Sequence, residues 1–347
     1  MAPTDLILPS NSLVLVTGAS GYIASHIVDQ LLERGYRVRG SVRNAAKSSF
    51  LNELYSKRHG DGKFELIGIA DYMKPEGYTE ALKDVTGVIH TVGDTSFSPD
   101  PDVTVPNTVA IATSLLTAAL SIPAIKRVVF TSSSVAIAFP EPNKVFPVNA
   151  SIFNDGIIAA AYAAPKPYDP NNFMQSFLAY AASKVSAEHA IEKFVAEQKP
   201  KYAINVICPN TVLGEVLAPE HQDGSTSGLV TSLYTGKKGT WSFLPPQYYV
   251  NVKDVARLHV AALIVPGVEG ERLLGYAKPF SQTEILGYLR KLEPGKEFEK
   301  DPEGEGRDVS EVDSKRSEVL VKVLKNGEGW TSLEETVGDN VKHLQGK

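Results

Sequence analysis

Along the first two hundred residues, short apolar runs alternate with longer stretches whose apolar positions recur every three or four residues. The runs Leu13–Thr17, Arg37–Val42, Phe64–Ala70, Gly87–Val92, Arg127–Ser132 and Ile204–Cys208 are predicted strands. Most are dense in Val and Ile, as expected of strands covered by helices on both faces. Their alternation with amphipathic stretches is the pattern of βαβ units, which gives an α/β fold with a parallel sheet. Between the first two strands Ile23, Ile27, Val28, Leu31 and Leu32 form one helical stripe, and Gly35 terminates it. A second helix is predicted from about Phe177 to Gln198, with Ala181, Val185, Ala190, Ile191 and Phe194 available for packing. After Pro209 the pattern changes. Residues 210–247 are rich in Gly, Ser, Thr and Pro, a strand and helix return over Tyr249–Leu263, and the tail beyond Pro266 is more charged. Within that tail Gly295–Gly306 reads as a surface loop.

Composition narrows the classes of function. The 347 residues are 43% hydrophobic and 22% charged, an ordinary globular balance. A net charge of −5 offers no footprint for nucleic acid or an anionic membrane. No apolar run reaches the roughly 18 residues that a bilayer requires, and MAPTDLILPS lacks the basic and apolar regions of a secretory signal. The single cysteine, Cys208, excludes an intrachain disulfide and any zinc site with two thiolates. A cytoplasmic setting is therefore expected. His26, His59, His90, His189, His221, His259 and His343 show no metal-ligand spacing, so no metal is expected. An apolar helix face would serve a homodimer or simply the core of a monomer.

The candidate chemistry begins at Thr17-Gly18-Ala19-Ser20-Gly21-Tyr22-Ile23-Ala24, a glycine-rich turn between strand and helix. Gly18 permits the tight turn and Gly21 lets the backbone approach a pyrophosphate at the helix N-terminus. Small Ala24 allows close helix–strand packing. This defines a Rossmann-type doubly wound sheet. Residues 1–209 plus 249–265 are expected to form the nucleotide-binding domain, and 210–248 plus 266–347 a smaller, discontinuous C-terminal substrate lobe. An NAD site usually carries Asp or Glu after the second strand. Here the chain reads Val38-Arg39-Gly40-Ser41-Val42-Arg43-Asn44, with two arginines and no acid. An arginine fork suits a 2′-phosphate, so NADPH/NADP+ is expected, with Lys47 adding charge. The expected cofactor contacts are Thr17, Gly18, Ser20, Gly21, Tyr22 and Ile23 in the turn and Arg39, Arg43 and Lys47 after the second strand. They continue with Asp71 and Tyr72 after the third and Pro209 and Asn210 after the sixth. Ser227 joins them from the Gly224–Gly228 loop, which could close over the nicotinamide.

Tyr180 and Lys184, in YAASK, stand one helical turn apart and share a face. A free phenol has a pKa of about 10, and a neighbouring ammonium favours the phenolate. Thr131-Ser132-Ser133-Ser134 ends a predicted parallel strand, where ligands of open α/β sheets bind. A serine hydroxyl there can hold a carbonyl oxygen as it gains charge. The trio suits hydride delivery to a carbonyl compound, with Tyr180 as proton donor.

TGASGYIA, the FTSSS strand end and YAASK together make the chain resemble an extended short-chain dehydrogenase/reductase. Within that family it is most similar to the dihydroflavonol-reductase-like branch, in particular the yeast NADPH-dependent carbonyl reductases called aldehyde reductase II. Supporting segments are KRVVFTSSSVA, CPNTVLG, GSTSG and LPPQYYVNVKDVARLH. The resemblance runs nearly end to end, weakening after about Gly270 and between Asn143 and Gln175. It implies that Ser133, the middle serine, is catalytic together with Tyr180 and Lys184. Two departures stand out. Ala24 replaces the third glycine of the loop, which this family tolerates. In Val92-Gly93-Asp94, Asp94 supplies an acid where relatives are apolar or small; it either alters the substrate pocket or lies at the surface.

Phe97, Phe139, Leu244 and Gln247 are candidate substrate-lining residues, with ordinary packing the alternative for each. Two other functions compete. A sugar-nucleotide epimerase or dehydratase shares the Tyr and Lys but keeps NAD bound and carries an acid after the second strand. A non-catalytic NADPH-sensing protein would usually lose the Tyr–Lys pair. No GxSxG elbow accompanies the serines, which argues against a hydrolase.

Overall fold

The computed structural model describes residues 6–222, 225–237 and 244–346. In chain order its strands are β1 (Leu13–Thr17), β2 (Arg37–Val42), β3 (Phe64–Gly68), β4 (Gly87–His90), β5 (Arg127–Thr131), β6 (Pro147–Val148), β7 (Ala203–Pro209), β8 (Thr211–Leu213), β9 (Gln247–Asn251), β10 (Arg272–Gly275), β11 (Lys278–Phe280) and β12 (Glu311–Val312). The helices are α1 (Tyr22–Glu33), α2 (Phe50–His59), α3 (Pro101–Ala119), α4 (Gly156–Tyr162), α5 (Phe173–Gln198), α6 (Ser227–Thr235), α7 (Val252–Ile264), α8 (Gln282–Leu292), α9 (Lys315–Leu324) and α10 (Leu333–Val341).

Seven strands form one sheet in the order β10-β7-β5-β4-β1-β2-β3, every pair parallel. This is the expected doubly wound α/β sheet. The near-continuous apolar runs follow from coverage on both faces. Successive side chains of a strand point to opposite faces: Val14 and Val16 pack into the layer holding α1, α2, α7 and α9, while Leu13 and Leu15 pack into the layer of α3 and α5. Gly35, at φ +80°, closes the chain reversal after α1.

A second sheet, β11-β9-β8, joins α6, α8 and α10 around a separate core of Leu213, Val230, Tyr249, Phe280, Leu286 and Val337. Sheet membership divides the chain otherwise than expected. Arg272–Gly275, assigned in advance to the lobe, pairs with β7 in the main sheet. The β9 strand, assigned to the nucleotide domain, pairs with β8 and β11 in the small sheet. The following helix α7 returns to pack on α1, and α9 packs on α7. The chain thus passes back and forth between the two units. No described helix is long and apolar enough to cross a membrane.

Candidate active site

The glycine-rich turn lies at the C-terminal end of β1, between β4 and β2 in the main sheet. Gly18 adopts φ +69°, and a Cβ there would meet Thr91 Oγ1 and Val92 Cγ2 at 3.0 Å, so backbone conformation and space both require glycine. A Cβ on Gly21 would lie 3.2 Å from the Gly18 carbonyl oxygen. Gly21 caps α1 without a side-chain bond, and no acid occupies the helix's first turn. Its first N–H groups therefore meet no competing carboxylate, an arrangement that suits an anion. Gln222 Nε2 donates to the Ser20 and Gly21 carbonyls at 3.1 and 3.4 Å, a contact that no local sequence signal announces.

Other members of the expected cofactor set have structural partners. Thr17 is buried; its Oγ1 lies 2.8 Å from His90 Nδ1 and accepts from the Thr91 N–H at 3.2 Å. The Tyr22 hydroxyl is buried and donates to the Gly214 carbonyl at 3.0 Å, and Ile23 is partly buried against the core. Asp71 caps its own turn through the Met73 N–H and pairs with Lys74 at 3.4 Å. The Tyr72 hydroxyl lies 3.1 Å from Ser41 Oγ. Burial raises its pKa to about 12, against the Ser41 hydrogen bond, and the Ser41 carbonyl accepts from the Ala19 N–H of the turn at 3.0 Å. Pro209 pairs with Gly275. Asn210 Oδ1 accepts from the Thr211 N–H at 2.7 Å. Ser227, buried at the start of α6, lines a cavity of about 130 Å³ with Val216 and Gln222. Gly224 of that loop lies outside the described residues.

The two arginines separate. Arg39 is in register with Leu15, so strand alternation turns it onto the α3/α5 face. There its Nε donates to Glu65 at 2.6 Å, and NH1 donates to the carbonyls of Glu80, Ala81 and Lys83 at 3.3, 3.0 and 2.7 Å. This corrects the expectation that it faces the nucleotide. Arg43 lies beyond the strand end, exposed at the C-terminal edge of the sheet, and Lys47 is exposed nearby.

The catalytic candidates converge at the end of β5. Thr131 Oγ1 is 2.8 Å from His259 Nε2, and the Thr131 carbonyl accepts from Lys184 Nζ at 3.3 Å. Lys184 is buried, with Nζ 5.7 Å from the centroid of the Tyr180 ring. A Cβ on Gly93 would approach that Nζ to 3.2 Å, so the β4 end closes over the lysine. Ser133 is extended, and its Oγ accepts from the Val135 N–H at 3.5 Å. Tyr180, Phe139 and Phe177 pack against one cluster that includes Val135 and Ala136, just after Ser133. Among the described residues the Tyr180 hydroxyl has no hydrogen-bond partner.

Aromatic rings extend from Tyr180 in two directions. Phe97 stacks on it at 5.5 Å, and Phe177 lies 6.4 Å away and contacts Phe139 at 5.3 Å. Two expected substrate residues, Phe97 and Phe139, thus reach this aromatic row. Phe177 was missed, although its position three residues before Tyr180 puts it on the same helical face. Gln247 lies in β9, where Nε2 donates to the Pro245 carbonyl at 3.3 Å. Leu244 lies just before that strand, and no ring or hydrogen-bond contact joins either residue to Tyr180.

Beneath Lys184, one turn further along α5, Glu188 is buried and also absent from the expected site. It accepts from Ser132 Oγ and pairs with Arg272 Nε at 2.6 Å. Arg272 in turn donates to the carbonyls of Ala136, Ala150 and Ile152. Removing one partner of a buried pair strands the other charge. Glu188→Ala should therefore lower stability by about 3–5 kcal/mol in urea denaturation, with Glu188→Gln milder because it retains an acceptor for Ser132.

Among the described residues no cluster of His, Cys, Asp or Glu could hold a metal. The model of the NAD dependent epimerase/dehydratase family matches residues 14–272. Aldehyde reductase 2 of Sporidiobolus salmonicolor is 39% identical, over 98% of each chain. Ketoreductase adrE of Penicillium rubens is 36% identical, covering 94% of this chain and 95% of its own. A solved structure from the engineering of a reductase for asymmetric catalysis is 25% identical with a TM-score of 0.77, over 96% of this chain and 99% of that one. A family match across most of the sequence and a full-length relative of this identity agree: the chain belongs to the NAD dependent epimerase/dehydratase family.

Proposed function

We propose that this protein is an NADPH-dependent carbonyl reductase that converts aldehydes or ketones to alcohols. The observation that carries the reading is the Tyr180–Lys184 pair on α5 beside Ser133 at the β5 end, in the sheet whose central turn is built for a pyrophosphate. Relatives named as an aldehyde reductase and a ketoreductase support it. The residues present fit the dinucleotide. Gly18 and Gly21 leave the space that a side chain would fill, α1 offers uncapped N–H groups, and Arg43 with Lys47 supplies cations where a 2′-phosphate would lie. Lys184 would hold the nicotinamide ribose.

Bound NADPH supplies the hydride for the carbonyl carbon. Ser133 Oγ donates to the carbonyl oxygen and orients it. Tyr180 passes its phenolic proton to that oxygen, and Lys184, fixed by the Thr131 carbonyl, keeps its ammonium beside the phenol. An epimerase of the same family would keep an acid after β2, whereas β2 here runs into Arg43 and Asn44. The reading includes a cytoplasmic setting and a freely diffusing small-molecule substrate.

The test is oxidation of NADPH, and separately NADH, with aldehydes, β-keto esters, aryl ketones and a dihydroflavonol. Turnover favouring NADPH is expected; tight NADPH binding without turnover of any compound would favour a sensor instead. Arg43→Ala should weaken NADPH about 10- to 100-fold, the weight of one charge-assisted contact, and leave NADH nearly unchanged. Arg39→Ala should leave the coenzyme ratio as it is and lower the melting temperature. The opposite pattern in the two variants would reverse these roles.

A further inference from the structure

Asp94 lies in the segment between β4 and α3. Its carboxylate is fully engaged: Oδ2 accepts from Asn107 Nδ2 on α3 at 3.0 Å, and Oδ1 from the Ser96 N–H at 2.9 Å. Burial works against ionisation there, yet those bonds and the nearby Arg43 charge hold the carboxyl below its usual range. The turn it starts continues through side-chain oxygens. The Ser98 N–H donates to Ser96 Oγ at 3.3 Å, and the Asp100 N–H to Ser98 Oγ at 3.2 Å. At its far end the segment is tied to α5, where Gln175 Nε2 donates to the Pro99 carbonyl at 3.0 Å.

Phe97 sits between these anchors. Its φ is +50°, a left-handed conformation that a bulky side chain disfavours. Its side chain is 46% exposed, yet the ring lies 5.5 Å from the Tyr180 ring with the planes 29° apart. A residue held against both its backbone preference and its hydrophobicity persists only where its surroundings over-determine it. The ties at Asp94 and Gln175 do so, and they hold a flat apolar face at the catalytic phenol.

We infer that Asp94 is a positioning residue that, acting through Phe97, sets a preference for flat aromatic carbonyl compounds over small aliphatic ones, an inference that rests on the reductase reading of the site. A planar ring entering beside Tyr180 meets the Phe97 face in the offset or tilted geometry that aromatic pairs favour. A small aliphatic chain gains little from that face. Loss of the Asp94 clasp releases the segment, and the left-handed Phe97 relaxes away from the phenol.

The test compares kcat/KM for acetophenone and for butanone, with NADPH, in wild type, Asp94→Ala, Asp94→Asn, Phe97→Ala and the Asp94→Ala/Phe97→Ala double variant. Asp94→Ala should lower the aryl-to-aliphatic ratio about five- to tenfold, the weight of one aromatic contact, mainly through KM for acetophenone. Phe97→Ala should lower it equally, and the double variant no further, because both changes remove one ring. Asp94→Asn keeps oxygen acceptance at the clasp and should recover most of the ratio. An unchanged ratio in Asp94→Ala, or a second full drop in the Phe97→Ala background, overturns the inference alone. Wild type that reduces neither ketone nor any other carbonyl compound overturns the reductase reading, and this inference with it.

Discussion

Tyr180→Phe is expected to lower kcat by about 10²- to 10⁴-fold, the usual weight of a positioned general acid, while NADPH binding stays within about twofold of wild type. The argument for so clean a separation is structural. The phenol oxygen has no hydrogen-bond partner among the described residues, so its removal strands no buried group and costs little stability. The ring keeps its contacts with Phe97 and Phe177, and the cofactor turn lies on a different element. Steady-state oxidation of NADPH measures the first quantity and quenching or transfer of protein fluorescence the second. A variant that retains more than a tenth of wild-type turnover would remove Tyr180 from the proton path. Parallel loss of NADPH affinity would instead give the hydroxyl a binding role.

Acid should destabilise this protein steeply, because three buried histidines are held neutral. Burial lowers His26 and His259 to about 4, and burial with the Lys184 charge lowers His90 to about 3. The Glu215 carbonyl at His26 and the Val255 carbonyl at His259 favour the charged ring but are outweighed by burial. His259 also meets Thr131 Oγ1, and His90 meets the Thr17 hydroxyl while its buried Nε2 has no partner among the described residues. Above the unfolded pKa of about 6.5 neither state binds these protons, and the stability is fully present. As pH falls below that value the unfolded chain takes up protons that the native state excludes, so stability drops until the folded values near 4 to 3 are reached. With three groups the slope approaches about 4 kcal/mol per pH unit. His189 works the other way: burial lowers its pKa, but Asp155 and Glu192 outweigh it and raise it. It lies at the surface, where such pairs are screened. Urea denaturation from pH 8 to pH 4 should show a plateau above about pH 7 and a steep fall below pH 6. A midpoint constant down to pH 4.5 would contradict the neutral assignments. Because Thr131 and Thr17 hold two of these rings, activity should fail along with stability.

Much of the fold was legible because period-two and period-3.6 patterns are strong where both faces of an element are buried. The β1 and β2 strands begin and end at the predicted residues. The short strands β8, β10 and β11 were not anticipated: each has three or four residues, too few for a period, and β11 contains Pro279. Helix α3 was hidden by Pro101 and Pro106 and by an apolar content without a narrow stripe. Tyr180 and Lys184 could be placed on one helix face and the serine triplet at a strand end from local spacing alone, whereas the choice of Ser133 within the triplet rested on the family resemblance. Arg39 was misread for the converse reason. Strand alternation turns it onto the α3/α5 face, and the carbonyls of Glu80, Ala81 and Lys83 that hold it there lie about forty residues away in sequence. Glu188 needed the same long-range information, because its partners come from distant parts of the chain, Ser132 just after β5 and Arg272 in β10.

The passage of the chain between the two sheets restricts how this enzyme can adapt to a new substrate. After β7 it enters the small unit at β8, returns after β9 into α7 and β10, leaves again for β11 and α8, and comes back at α9. A hinge closes two bodies by bending where few strands of backbone connect them, and here every crossing would have to bend together. Differences in substrate fit are therefore left to individual loops, such as the clasped one carrying Phe97. Descendants of this fold should accordingly diverge in taste by exchanging loop residues over an unmoving frame, rather than by acquiring new lobe orientations.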